Sequence, residues 1–270
     1  MSMHRISKII DFHTHAFPDS LAGRAIQTLI SEAPDVKAWL DGRLSSLISS
    51  MDQNNIENAV LCCIATKPSQ FLPILNWCRE IRCDRIIPFP SVHPADPQCL
   101  EQIDAIKQQG FKGIKFHPYY QDFYADQPGM YEIYQKCCDL NLMLVMHTGY
   151  DIAFPRIPRA DPQRILKIIS DFPKLKFITT HLGGWEQWDQ VEKFLIGKPI
   201  YMEISFALEY LSAERARQMF LAHPPEYLLF GTDSPWTDQK TTLSLLRNLQ
   251  LPEGLLNQIL SGNASRLLSQ

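Results

Sequence analysis

Lys8-Ile-Ile-Asp-Phe-His13-Thr-His15 runs two β-branched apolar residues into a His-x-His pair near the start of the chain. On an extended strand, side chains two apart face the same side, so His13 and His15 converge while Phe12 and Thr14 face away. Two imidazoles on one point suit a divalent cation. One such pair is a weak signal, but later apolar runs end in similar chemistry. Lys115 and His117 lie on Gly113–His117, His147 closes Leu142–His147, and His181 closes Leu175–His181. Glu203 lies on Ile200–Ser205 and Asp233 closes Tyr227–Asp233, while His93 follows the run 85–92. Of eight histidines, only His4 and His223 are away from such ends. Histidines kept for packing alone would scatter over helices and loops as well.

The elements that must position these residues follow a regular rhythm. Eight short apolar runs alternate with amphipathic stretches, the first of them Leu44, Leu47, Ile48 and Met51 at helical spacing. A helix is expected over 70–82, with Phe71, Ile74, Leu75 and Cys78 on one face, and another near 130–140. Asp96-Pro97 and Asp161-Pro162 each read as a helix start, with Asp as the cap and Pro in the first turn. Trp185, Trp188, Val191 and Leu195 mark a later helix, and Ser212 caps one through Phe220. Residues 17–42 read as a long loop with a short helix. The alternation is that of parallel-strand architecture. Eight units in a 270-residue chain favour one closed (β/α)8 barrel domain over residues 1–270, rather than an open sheet. Catalytic residues in such barrels collect at the C-terminal strand ends, where the polar residues above fall.

Composition narrows the partners. A net charge of −3 supplies no basic surface for nucleic acid or an anionic membrane. No stretch approaches the roughly 20 apolar residues of a membrane span. Seven cysteines without a Cys-x-x-Cys motif, and no signal-like N-terminus, point to free thiols and a reducing cytoplasm. No glycine-rich phosphate loop follows the first strand, and no Gly-x-Ser-x-Gly elbow is present. The partner expected is a small-molecule substrate; the sequence leaves a homo-oligomer open.

His13-x-His15, His147-Thr-Gly, His181-Leu-Gly-Gly and Gly231-Thr-Asp233-Ser-Pro-Trp, with Asn263-Ala near the end, resemble the amidohydrolase superfamily. More narrowly they resemble its amidohydrolase-related branch of lactonases and zinc-dependent decarboxylases. The resemblance covers nearly the whole chain. It implies a barrel with a metal at the strand ends, held by His13, His15, His147 and Asp233. In single-metal members the sixth-strand histidine, here His181, is not a ligand. In two-metal members a carboxylated lysine on the fourth strand bridges the ions, the place of Lys115. If Lys115 or His117 bridges, His147 and His181 hold a second ion.

The residue types agree with a metal independently. Imidazoles and a carboxylate suit Zn²⁺, with Mn²⁺ or Fe²⁺ as alternatives, and one ion is preferred to two. Such an ion lowers the pKa of a bound water toward about 7, which supplies hydroxide at neutral pH. The expectation is a metal-dependent hydrolase cleaving a C–O or C–N bond in a small carboxylate-bearing lactone or amide. Asp233 manages protons and His181 assists. Glu203 and His117 are second-metal or supporting residues, and Arg156 and Arg159 are placed to grip a substrate carboxylate with Trp236 as a wall. A nonoxidative decarboxylase using the same cage, and a non-catalytic binding barrel, are the alternatives.

Overall fold

The computed structural model describes residues 8–270; His4 lies outside them. The chain begins with β1 (Ile9–Thr14), α1 (Asp19–Glu32), α2 (Leu44–Gln53), β2 (Ile56–Cys62), α3 (Phe71–Ile81) and β3 (Ile86–Phe89). It continues with α4 (Cys99–Gln108), β4 (Gly113–Phe116), α5 (Pro128–Asp139), β5 (Met143–Met146), α6 (Pro162–Asp171) and β6 (Lys176–Thr179). The last part holds α7 (Trp188–Phe194), β7 (Tyr201–Glu203), α8 (Ala213–Ala222), β8 (Leu228–Leu229), α9 (Gln239–Asn248), α10 (Glu253–Asn257) and α11 (Asn263–Ser269).

All strand pairs are parallel and follow chain order, β1-β2-β3 and then β4 to β8. Two seams close them into the expected (β/α)8 barrel. At β3, Pro88 and Pro90 have no N–H to donate, so the ladder to β4 thins. It is carried by Lys115 N–H to Pro90 O (2.9 Å) and Ser91 Oγ to Lys115 O (2.8 Å). At the other seam, Phe12 N–H reaches Phe230 O (2.8 Å) and His15 N–H reaches Ser234 O (2.6 Å). Inside the ring, Phe12, Val60, Cys62, Phe89, Val145, Ile178 and Leu229 form a packed floor. The larger core lies between strands and helices.

Four local expectations need correction. The pairing of β1 with β2 shifts register between Asp11 and Thr14. Strict alternation is therefore lost, and Phe12 packs inside the ring below His13 instead of facing away. Residues 17–42 contain the 14-residue α1, whose Ala22 and Ile26 are buried despite Gly23 in its middle. Asp96 does not cap α4 directly: it accepts from Gln98 N–H (2.9 Å) and Gln102 Nε2 (2.8 Å), and the helix starts at Cys99. Trp185 lies outside α7, which begins at Trp188. Asp161 and Ser212 cap α6 and α8 as their sequence contexts indicate. Among the described residues, no helix is long and apolar enough to cross a membrane.

Candidate metal centre

His13 and His15 at the end of β1 meet Asp233, four residues past β8. Asp233 sits in the left-handed region at φ 61°, which costs a non-glycine residue about 1 kcal/mol or more. Its N–H donates to His13 O (2.7 Å), which ties the two chain ends of the barrel together. Asp11 holds the preceding residue, accepting from Thr232 N–H (3.0 Å), Thr232 Oγ1 (2.6 Å) and Gln239 Nε2 (2.8 Å). Burial pushes the Asp11 carboxyl up to about 7, against the pull of those donors. Gly231 has a packing reason: a Cβ there would strike the Glu203 carboxylate.

The hydrogens around the two rings can be assigned from their partners. His13 Nδ1 lies 3.0 Å from Glu203 Oε1, which also accepts from Ser205 Oγ at 2.8 Å. A carboxylate only accepts, so Nδ1 carries the proton. His15 Nδ1 lies 2.7 Å from the carbonyl oxygen of Cys62 and carries its proton for the same reason. In neutral rings both Nε2 atoms are then bare. They lie 3.1 Å apart and face Asp233 Oδ1 at 3.5 and 3.1 Å. Three lone-pair acceptors thus converge, with the buried Lys115 Nζ, 3.0 Å from His13 Nε2, as the donor at their edge. Such a cluster repels itself unless a cation sits in it, and two imidazoles with one carboxylate fit a divalent metal.

Charging the His13 ring instead is opposed. Burial and the Lys115 ammonium push the His13 pKa well below its ordinary value, with Asp233 pulling the other way. For Asp233, burial would raise the pKa, but the imidazoles of His13 and His15 outweigh it and hold the carboxyl below the usual range. An ionised Asp233 thus calls for positive charge facing it, while burial and Lys115 oppose that charge on His13; a divalent cation between them would supply it.

A second group, His117, His147 and Asp151, lies beside it. The rings of His117 and His147 stack at 4.2 Å and 20°. His117 Nδ1 accepts from Tyr120 N–H (3.5 Å), so its Nε2 donates to Asp151 Oδ2 (3.3 Å). His147 Nε2 donates to Tyr150 O (2.9 Å). These hydrogens all have acceptors. Only His147 Nδ1 is left bare, and it faces His181 Nε2 at 3.1 Å. His181 Nδ1 donates to Ser205 O (3.0 Å), so its Nε2 is bare too. Burial first, then neighbouring cations, pushes the pKa values of His117 and His147 well down.

Lys115, His117, His147 and His181 line the same cavity as the first group, and Trp236 walls it. Glu203 sits behind His13 and His181, accepting from the His181 N–H at 3.0 Å. Arg156 and Arg159 are elsewhere. Arg156 pairs with Glu186 over a separate groove, and Arg159 pairs with Asp122 at 2.6 Å. Ser205, Asp151 and Asp11 were not singled out from the sequence. Ser205 had a signal, since it follows Glu203 at same-face spacing; Asp151 lies in an irregular loop where no periodicity places it.

The amidohydrolase family model Amidohydro_2 matches residues 10–270. The chain belongs to the amidohydrolase family. No curated protein sequence matches this amidohydrolase. Its fold is shared with an uncharacterised TIM-barrel protein from Bordetella bronchiseptica, at a TM-score of 0.77 and 22% identity over 97% of this chain and 98% of that one. It is also similar to a probable 2-pyrone-4,6-dicarboxylic acid hydrolase from Acinetobacter baumannii, at 0.68 and 16% over 97% and 100%. A dihydroxybenzoic acid decarboxylase from Polaromonas with bound manganese matches at 0.69 and 14% over 98% and 97%.

Proposed function

We propose that this amidohydrolase is a metal-dependent hydrolase that cleaves a C–O or C–N bond in a carboxylate-bearing lactone, ester or amide. The observation that carries this reading is the meeting of three bare acceptors, His13 Nε2, His15 Nε2 and Asp233 Oδ1, with their back sides fixed by Glu203 and the Cys62 carbonyl. These residues would hold one ion; His147, expected from the sequence as a fourth ligand, falls instead in the neighbouring group with His117 and Asp151, its Nδ1 facing His181 Nε2. The imidazole-rich set suits Zn²⁺, and Mn²⁺ is the runner-up. A bound divalent ion supplies Lewis acidity toward a carbonyl and toward water.

The chain's own residues do the rest. Asp233, ionised and against His15, accepts the proton of an attacking water and returns it to the leaving oxygen or nitrogen. His181 presents an Nε2 that can exchange a proton with the substrate, its ring fixed by Ser205 O. Ser205 and Glu203 orient His13 and His181 together. The buried Lys115 ammonium is placed to meet a carboxylate or a developing oxyanion on the floor.

The same Lys115 favours a second reading, nonoxidative decarboxylation, in which C–C cleavage releases CO2 from a desolvated carboxylate and a proton replaces it on carbon. A panel of lactones, esters, amides and aromatic acids separates the two. Hydrolysis predicts one new carboxylate group per turnover and no CO2. Stoichiometric CO2 release would overturn hydrolysis, and no turnover of any compound by metal-loaded protein would overturn both.

A further inference from the structure

The cavity over the metal centre, about 630 Å³, has two unlike halves. Its floor holds the imidazoles, Lys115, Asp151 and Asp233. Its outer half lies between α1 and α3 and is walled by Leu21, Ala25, Leu29, Pro73, Ile74 and Trp77. On α1, positions 21, 25, 28 and 29 recur at helical spacing along the cavity, while Ala22 and Ile26 form the buried face. Leu21 remains 42% exposed beside this hollow. An apolar chamber of this size suits a drug-sized ligand rather than a compact polyanion, which would leave the walls against water.

Charge is distributed as unevenly as polarity. Both carboxylates that line the cavity are on the floor, against imidazoles. The cations lining it are Lys115, on the floor, and Arg24, on α1. Arg24 is exposed and has no carboxylate partner among the described residues. Outside the cavity, Arg156, Arg159, Arg164 and Arg215 are paired with Asp or Glu. Arg79, Arg217 and Arg247 also lack an ion pair among the described residues; what sets Arg24 apart is its place on the cavity wall. An unpaired guanidinium at the edge of an apolar chamber is matched by an anion on an apolar stem.

We infer that the substrate is an amphiphilic acid whose alkyl or aryl body fills the chamber under α1 and whose anionic end, remote from the reacting carbonyl, meets Arg24. This rests on the floor being the reaction site, as proposed above. Arg24 is thus a specificity-determining residue, and chain length is read by α1 and α3.

Binding of non-hydrolysable probes to the full, metal-loaded chain by titration calorimetry tests this without any turnover. Dodecanedioate offers one carboxylate to the floor and the other to Arg24; glutarate has little alkyl body to bury, and dodecanoate lacks the second anion. Each buried methylene contributes about fourfold in affinity, so dodecanedioate should exceed glutarate by more than about 100-fold. It should exceed dodecanoate by about fivefold, the scale of one solvent-exposed ion pair. Arg24→Ala should erase the second difference and keep the first, and Arg24→Lys should restore most of it. Leu29→Asp should weaken dodecanedioate and leave glutarate unchanged. Glutarate binding as tightly as dodecanedioate would overturn the inference, as would an unchanged diacid preference in Arg24→Ala. A chain that binds as described but hydrolyses nothing would refute the hydrolase reading alone.

Discussion

Two His-His-Asp groups stand side by side at the mouth of this barrel, and each brings its ligand atoms within 4.8 Å of one another. Distance does not tell them apart; hydrogen counting does. In the group His13, His15 and Asp233, every N–H points backward, to Glu203 and the Cys62 carbonyl, and the lone pairs point inward. In the group His117, His147 and Asp151, the N–H atoms point inward, to Asp151 and the Tyr150 carbonyl. We propose the first as the cage for a cation; the second is a brace, hydrogen-bonded within itself except at His147 Nδ1, which faces His181 Nε2. Proximity of metal-ligand residue types is therefore a poor guide until the partners behind each ring are known.

The largest effect expected on this contrast is at Asp233. Asp233→Asn keeps the shape but would remove both the proposed anionic ligand and the proposed proton acceptor, so turnover should fall by about 10³-fold or more in steady-state assays. Rates within tenfold of wild type would remove Asp233 from the chemistry. Behind the cage, Glu203→Gln should weaken metal affinity by about 10- to 100-fold in a competitive chelator titration, since the His13 tautomer is then no longer fixed. An unchanged affinity would mean that Glu203 does not set the ring.

Away from both groups, His223 serves as a control for burial without a cage. It is 2% exposed, its Nε2 donates to Ile200 O at 2.9 Å, and burial lowers its pKa from 6.5 to about 4. The folded chain thus prefers neutral His223. Its stabilising contribution is full above pH 6.5 and is lost as pH falls through 6.5 toward 4, up to about 3 kcal/mol. Denaturant melts of His223→Gln should show a smaller loss over that window than wild type. An equal loss would assign the acid sensitivity to the floor histidines instead.

Much of this was legible in the sequence. The barrel was, because eight apolar runs and their intervening helical stripes each bury one face, and burial is what periodicity records. The positions of His13, His15, His147, His181 and Asp233 at strand ends followed from the same rhythm. What periodicity misses is irregular backbone. The register shift at Asp11 to Thr14 turns Phe12 inward, and the left-handed turn at Asp233 aims its carboxylate; neither leaves a pattern in residue type. Asp151 and Arg24 were missed for a related reason. One lies in a loop, and the other on a helix whose mixed composition and central Gly23 read as irregular chain. The arginines at 156 and 159 looked available because a sequence does not show their partners, Glu186 and Asp122.

The measurement that tests the difference between the two groups most directly is the metal content per chain, by elemental analysis of protein purified without chelator. Wild type should carry one divalent ion, His15→Ala should carry almost none, and Asp151→Asn should retain the wild-type content. Loss of the ion in Asp151→Asn with retention in His15→Ala would reverse the assignment of cage and brace. A wild-type chain that takes up no divalent ion at all would contradict the reading of the converged lone pairs.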